Sequence, residues 1–211
     1  MNSIYISGTM TDVEEGLDRA ERMLKASYAG LNQFQKSEGE EKIIGLMNSV
    51  SNGRNVTFAL QKNLKGEAEG FEEWYQERQA VLKEDPVCSR MNEVRTNIVH
   101  EGDESVSNYA SISGNSSEIY RVMPPWADGA FIGDQYGGSG FYIEKDGGEQ
   151  AKFYYDFSDA NMHIETGLFF KDQSGSEDIP YSEITDAEED LKYYVKILAE
   201  LVQDAKDEFG D

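Results

Sequence analysis

Cysteine, histidine and proline are scarce in this chain: one, two and four among 211 residues. A lone thiol, Cys88, forms no intramolecular disulfide and builds no thiolate metal centre within one chain. Long apolar runs are missing as well. None approaches the roughly 20 residues that a bilayer span needs, so no membrane partner is expected. Met1 to Met10 lacks a basic start followed by an apolar stretch, so a secretory leader is not expected there. The expectation is a cytoplasmic protein with no cofactor and no metal.

Positive charge is the other shortage. Forty-one acidic residues stand against 19 basic ones, a formal charge of −22. A generic nucleic-acid binder displaces counterions with a basic face, and this composition is biased against one. Acidity of this degree keeps chains soluble and mutually repelling. A high-salt cytoplasm is one source of such acidity, because salt screens the repulsion; the sequence leaves that origin open. A hydrophobic fraction of 38% with 11% aromatics is enough for a packed core, so wholesale disorder is excluded.

What is present is mostly helical grammar. Thr11-Asp12-Val13-Glu14 reads as a capping box. Val13, Leu17, Ala20, Leu24, Tyr28, Leu31 and Phe34 follow at three- and four-residue steps, one buried stripe. A second box, Ser37 to Glu40, opens a segment with Ile43, Ile44, Met47 and Val50, and Ser51-Asn52-Gly53 is a candidate break. Residues 55–65 fit helix or strand by pattern, and their Leu, Gln and Lys content favours helix. Gly66 to Gly70 reads as a loop and Phe71 to about Lys83 as a helix. Asp85-Pro86 supplies an N-cap acceptor and a proline at a position that needs no N–H. Val87, Met91, Val94 and Ile98 make the stripe of the next helix, and Gly102 stops it.

Residues 103–117 are polar and read as a loop or linker. From Glu118 to Lys171 the period changes to two, with candidate strands at 119–123, 130–134, 141–145, 152–157 and 163–169. They suggest an antiparallel meander. A third capping box around Ile184 to Glu188 opens a last helix with Leu191, Tyr194, Val195, Leu198, Leu201 and Ala205 on one face. The expected fold is mainly α: one domain over 1–211, with a helical bundle (11–102 and 184–209) and an antiparallel β insertion (about 118–171) before the C-terminal helix.

Chemistry is suggested by Arg95-Thr96-Asn97-Ile98-Val99-His100. Five residues apart on a helix means about 140° around and about 7.5 Å along the axis, so Arg95 and His100 do not share a face. Across a twofold axis, two copies would bring two arginines and two histidines to one cleft. There a neutral histidine can take the proton from a ribose 2′-hydroxyl while the arginine stabilises charge on the phosphate. Asn97 or Thr96 would orient the phosphate. The competing readings are bland: His100 as a helix-end residue favoured by the dipole, and Arg95 as a partner for Glu93 or a neighbouring carboxylate. Arg54 and Arg90 extend a phosphate surface or are solvated charges. Trp74 and Tyr75 read as core or interface anchors. His163, near Asp159 and Glu165, reads as structural, since a metal needs several convergent ligands. The glycine-rich run 133–140 reads as a hairpin turn, and Cys88 as inert.

The block Phe71-Glu-Glu-Trp-Tyr75, Asp85-Pro86 and Arg95-Thr-Asn-Ile-Val-His100-Glu-Gly102, preceded by Gly53 to Lys62, resembles HEPN-domain proteins. The resemblance covers about residues 40–102. It implies a dimeric helical bundle acting as a metal-independent endoribonuclease in a toxin–antitoxin or defence system. Arg95, Thr96, Asn97 and His100 would then form the catalytic motif, with RNA as substrate and an antitoxin or other protein as partner. A non-catalytic dimeric interaction or scaffold module is the alternative that the same resemblance implies.

Overall fold

The computed structural model describes residues 11–102, 105–145, 148–171 and 184–210. The N-terminal segment Met1 to Met10 and the start of the acidic stretch at Glu183 lie outside them. The chain is mainly helical, with two small antiparallel sheets inserted before the last helix.

Two long helices, α1 (Asp12–Lys36) and α2 (Glu40–Leu64), form a tight antiparallel hairpin. The expected capping box is present on α1. Thr11 Oγ1 accepts from the Glu14 N–H at 3.2 Å, and Glu14 Oε2 accepts from the Thr11 N–H at 2.7 Å. Small residues bring the two backbones together: a Cβ on Gly30 would lie 2.8 Å from the Gly45 carbonyl oxygen. Beside this crossing the buried Ser27 hydroxyl donates to the Ser49 carbonyl at 2.8 Å. The crossing also corrects the expected stripe, since Ser27 and Gly30 are buried while Tyr28 is turned to solvent.

Three other helix expectations change. The second box at Ser37 to Glu40 is not formed, because α2 starts from Gly39 at φ +60° without a side-chain cap. Ser51-Asn52-Gly53 does not break the helix; α2 runs through it, and a Cβ on Gly53 would collide with the Tyr194 ring. The last helix, α6 (Ala187–Phe209), is capped by Asp186, whose Oδ1 accepts from the Glu188 N–H at 2.7 Å, and not by a threonine box.

Helix α3 (Phe71–Glu84) is rooted by its aromatic start. Phe71 and Tyr75 are buried, and Phe71 and Trp74 both contact the Phe209 ring, at 5.6 and 5.3 Å between centroids. Of the core and interface roles left open by the sequence, Tyr75 takes the core one, and Trp74 packs half-buried against the same core. One residue, Asp85, separates α3 from α4 (Pro86–His100). Its N–H donates to the Val81 carbonyl, its Oδ1 accepts from the Cys88 N–H at 2.8 Å, and its Oδ2 accepts from the Tyr193 hydroxyl at 2.8 Å. The main core joins α1, α2, α4 and α6 through Phe34, Leu46, Leu60, Met91, Leu191 and Leu198, each almost fully enclosed. Such side chains contribute roughly 1.5–3 kcal/mol apiece.

The stretch 103–117, expected as a loop, contains a strand. In it β1 (Val106–Gly114) pairs antiparallel with β5 (Met162–Phe170), from Val106 opposite Phe170 to Gly114 opposite Met162. Asn108, Ser113 and even Ile112 are exposed on a ribbon held by backbone pairing, so no hydrophobic alternation announces it. The candidate strand at 119–123 is instead a short helix, α5 (Ser117–Val122). Asn115 Oδ1 accepts from the Ser117 N–H at 3.0 Å and turns the chain there. Ile119, Val122 and Met123 then pack at helical spacing on a second, smaller core around Phe141 and Phe157. Of the five-strand meander expected, three strands form one, β2 (Gly129–Phe131), β3 (Gly140–Glu144) and β4 (Gln150–Tyr154) in the order β2-β3-β4, while the candidate at 163–169 leaves it for the separate β1–β5 sheet. In the glycine-rich turn, Asp134 accepts from the N–H groups of Tyr136 and Gly138, from Lys152 and from the Tyr154 hydroxyl. Burial works against its charge, but these donors hold its carboxyl below the ordinary value.

Candidate functional site

The residues singled out from sequence occupy the last turns of α4. The helix is continuous from Pro86 to His100, so the 140° offset between Arg95 and His100 persists within one chain. Thr96 Oγ1 donates back to the Asn92 carbonyl at 2.9 Å, and the Asn97 amide donates to the Ser105 hydroxyl at 2.6 Å. Both polar side chains are therefore engaged in fixing the helix and the strand that follows. His100 is exposed at the helix end. Arg90 is not a surface charge: its guanidinium bonds the Asp190 carboxylate, which is almost fully enclosed on α6. His163 stands on an exposed strand, 3.8 Å from Glu165.

A cavity of about 150 Å³ lies elsewhere, between α2, α3, α4 and α6. Arg54 and Thr57 form its α2 wall, Tyr75, Gln79 and Lys83 its α3 wall, and Cys88, Ser89 and Asn92 its α4 wall. Tyr194 and Leu198 close it from α6. Arg54 is oriented by a 2.7 Å donation to Thr57 Oγ1 and by stacking over the Phe58 ring at 4.3 Å. Lys83, at the exposed end, donates to Gln79 Oε1 at 3.2 Å. No Asp or Glu lines this cavity.

The thiol in its α4 wall is chemically quiet. Burial, reinforced by the negative charge of Asp85, pushes Cys88 up to about 12, where the thiolate population at neutral pH is negligible. Alkylation with iodoacetamide is expected to label Cys88 in denatured protein and to leave the native chain unlabelled over the same interval. Rapid labelling of the native chain would contradict this reading.

On the other side of α3 runs an open groove of about 370 Å³ against α6. Val81, Leu82, Ile197 and Leu201 make an apolar bed, and Glu77, Glu200 and Asp204 stand along it with Arg78. Val81 is 68% exposed, high for a branched apolar residue on a folded helix. Leu82 borders both the groove and the cavity.

Residues 32–128 match the family model for bacteriophage lambda protein ea47. The matched stretch runs from the end of α1 through α5. It carries every cavity residue except Tyr194 and Leu198. The match corrects the HEPN resemblance, because the block that suggested it, residues 40–102, falls inside the ea47-like stretch. The shared features were a helix cap, a helix stop and a short Arg-to-His spacing, which unrelated helical bundles reach through the same local rules. No curated protein and no solved structure matches the chain. Among the described residues, no helix is long and apolar enough to cross a membrane.

Sequence reasoning passed over Lys83 and Gln79, placed Tyr194 only in the core stripe, and left Arg54 between a phosphate surface and a solvated charge. The available signal was Gly53 within a helical pattern. A glycine at such a position often marks close approach by another group, here the Tyr194 ring.

Proposed function

We propose that this protein is a non-catalytic interaction module whose α3–α6 groove receives a basic amphipathic helix from a protein partner. The observation that carries this reading is the groove itself: an open apolar bed between two helices, with three carboxylates and one arginine at its sides. Helix-in-groove recognition uses such a bed for i, i+3, i+4 anchors. The carboxylates and the net charge of −22 select a cationic occupant and disfavour a second copy of this chain. The engagement of Thr96 with Asn92 and of Asn97 with Ser105 fits a structural use of the α4 terminus.

The test uses a synthetic helical peptide with leucines at helical spacing and lysines on the opposite face, and a glutamate version with the same leucines. The basic peptide is expected to bind the full chain, and the acidic one is not. Val81→Glu should weaken binding about tenfold, roughly 1.4 kcal/mol, although it adds negative charge. Unchanged or stronger binding to Val81→Glu would mean diffuse charge attraction and would overturn the groove as the site. Dimers of the chain that Val81→Glu dissolves would assign the groove to self-association. Cleavage of mixed RNA in EDTA that is lost in His100→Ala would overturn the non-catalytic assignment.

A further inference from the structure

A chain rich in acidic residues places none of them in the wall of the cavity it forms between four helices. The cavity between α2, α3, α4 and α6 has Arg54 at its inner wall and Lys83 at its mouth. Neither has a carboxylate partner among the described residues, and what sets them apart from the other unpaired cations is their place in the wall of one cavity. Two acids on the surrounding elements are engaged elsewhere: Asp85 with Cys88 and Tyr193, and Asp190 with Arg90.

A second observation comes from the opposite wall. Tyr194 is 95% enclosed, with 5% of its surface exposed, and lines the cavity. Its hydroxyl makes no hydrogen bond among the described residues. A tyrosine so enclosed ordinarily finds a protein partner for its hydroxyl. Gly53 provides the room that sets this ring against α2. The arrangement therefore has two cations, an unpaired phenol, the Gln79 and Asn92 amides, and a limited apolar surface from Leu82 and Leu198.

We infer that this cavity is a binding site for a small organic oxyanion, a carboxylate or phosphate on a compact apolar body. Arg54 and Lys83 hold the charged group, and the Tyr194 hydroxyl donates to it or to a polar atom of the body. Arg54 already has one N–H on Thr57, which leaves the rest of its fork for the ligand. The site shares only Leu82 with the α3–α6 groove and does not depend on the function proposed for that groove.

Four probes test it on the full chain by calorimetry and thermal shift: benzoate, phenyl phosphate, inorganic phosphate and uncharged benzamide. Benzoate or phenyl phosphate should bind and raise the melting temperature. The preference between them identifies which oxyanion the site takes, and inorganic phosphate reports how much the charged group contributes alone. Benzamide should give no shift. Arg54→Gln should raise the dissociation constant at least about tenfold. Lys83→Gln, at an exposed position where folding is not at risk, should raise it severalfold, and Tyr194→Phe should weaken binding without altering the circular dichroism spectrum. Failure of all three anions to bind, equal binding of benzamide, or unchanged binding in Lys83→Gln and Arg54→Gln would overturn the inference.

Discussion

Replacing Arg90 by methionine should lower the folding stability by about 3 kcal/mol near neutral pH, the low end expected for breaking a buried ion pair. The methionine keeps the side-chain volume and leaves the Asp190 carboxylate enclosed without its cation. Arg90 itself is 35% exposed, which is why the lower end applies. The loss should depend on pH in a defined direction. Burial already lifts the Asp190 carboxyl above its ordinary value despite Arg90, and the charges of Asp186 and Asp85 lift it further. A carboxyl whose folded value is raised supports the fold fully below its unfolded value, and that support is lost as pH rises through the folded value. Without Arg90 the folded value rises again. The difference between variant and wild type should therefore be largest in neutral solution and shrink on acidification, as Asp190 takes up a proton. Denaturant melts across the acid-to-neutral range give the answer, and a pH-independent difference would mean that Arg90 contributes by packing alone.

Gly45→Val should be comparably damaging. A Cβ at Gly45 would lie 2.9 Å from both the Gln33 carbonyl carbon and the Gly30 carbonyl oxygen. These are backbone atoms of α1, so no side chain can swing aside. The helices must separate along a hairpin of two 25-residue elements, which loosens Ser27 from Ser49 and exposes part of the core around Phe34 and Leu46. Forcing extra volume into a packed contact typically costs 1–3 kcal/mol and occasionally more; about 3 kcal/mol is expected here because the contact is backbone to backbone. The better helix propensity of Ala, about 1 kcal/mol over Gly, should make Gly45→Ala milder. Thermal melts should place both variants below the wild type, with Val the lower, and wild-type melting points for both would show that the hairpin is not held at this crossing.

The helical half of the fold was legible because its signals are local. The Thr11 cap, the Asp85-Pro86 start, the Gly102 stop and the α6 stripe each follow from a few adjacent residues, and each is present in the structure. What failed depends on partners distant in sequence. The β1 ribbon has polar and small side chains, and its strand character comes from β5, whose paired residues begin 48 positions after Gly114, at Met162. Ile119 to Met123 suits either period, and the second core selected the helix. Tyr28 fits the apolar stripe by spacing, but glycines bring α2 so near that the stripe turns toward Ser27 and Gly30. The cavity was hidden for the same reason. Arg54, Lys83, Asn92 and Tyr194 come from four helices, and no window of sequence contains them together.

Asp85 does not line that cavity, yet it fixes the frame around it. One side chain receives the first free N–H groups of α4 and the hydroxyl of Tyr193 on α6, while its own N–H closes the last turn of α3. The angle at which α3 leaves α4, and with it the gap between Lys83 and Asn92, is thus set by a residue that no ligand would touch. A change of chemistry at this corner would widen or narrow the opening while every lining side chain stayed the same. The gauge of the entrance is encoded outside the room it serves.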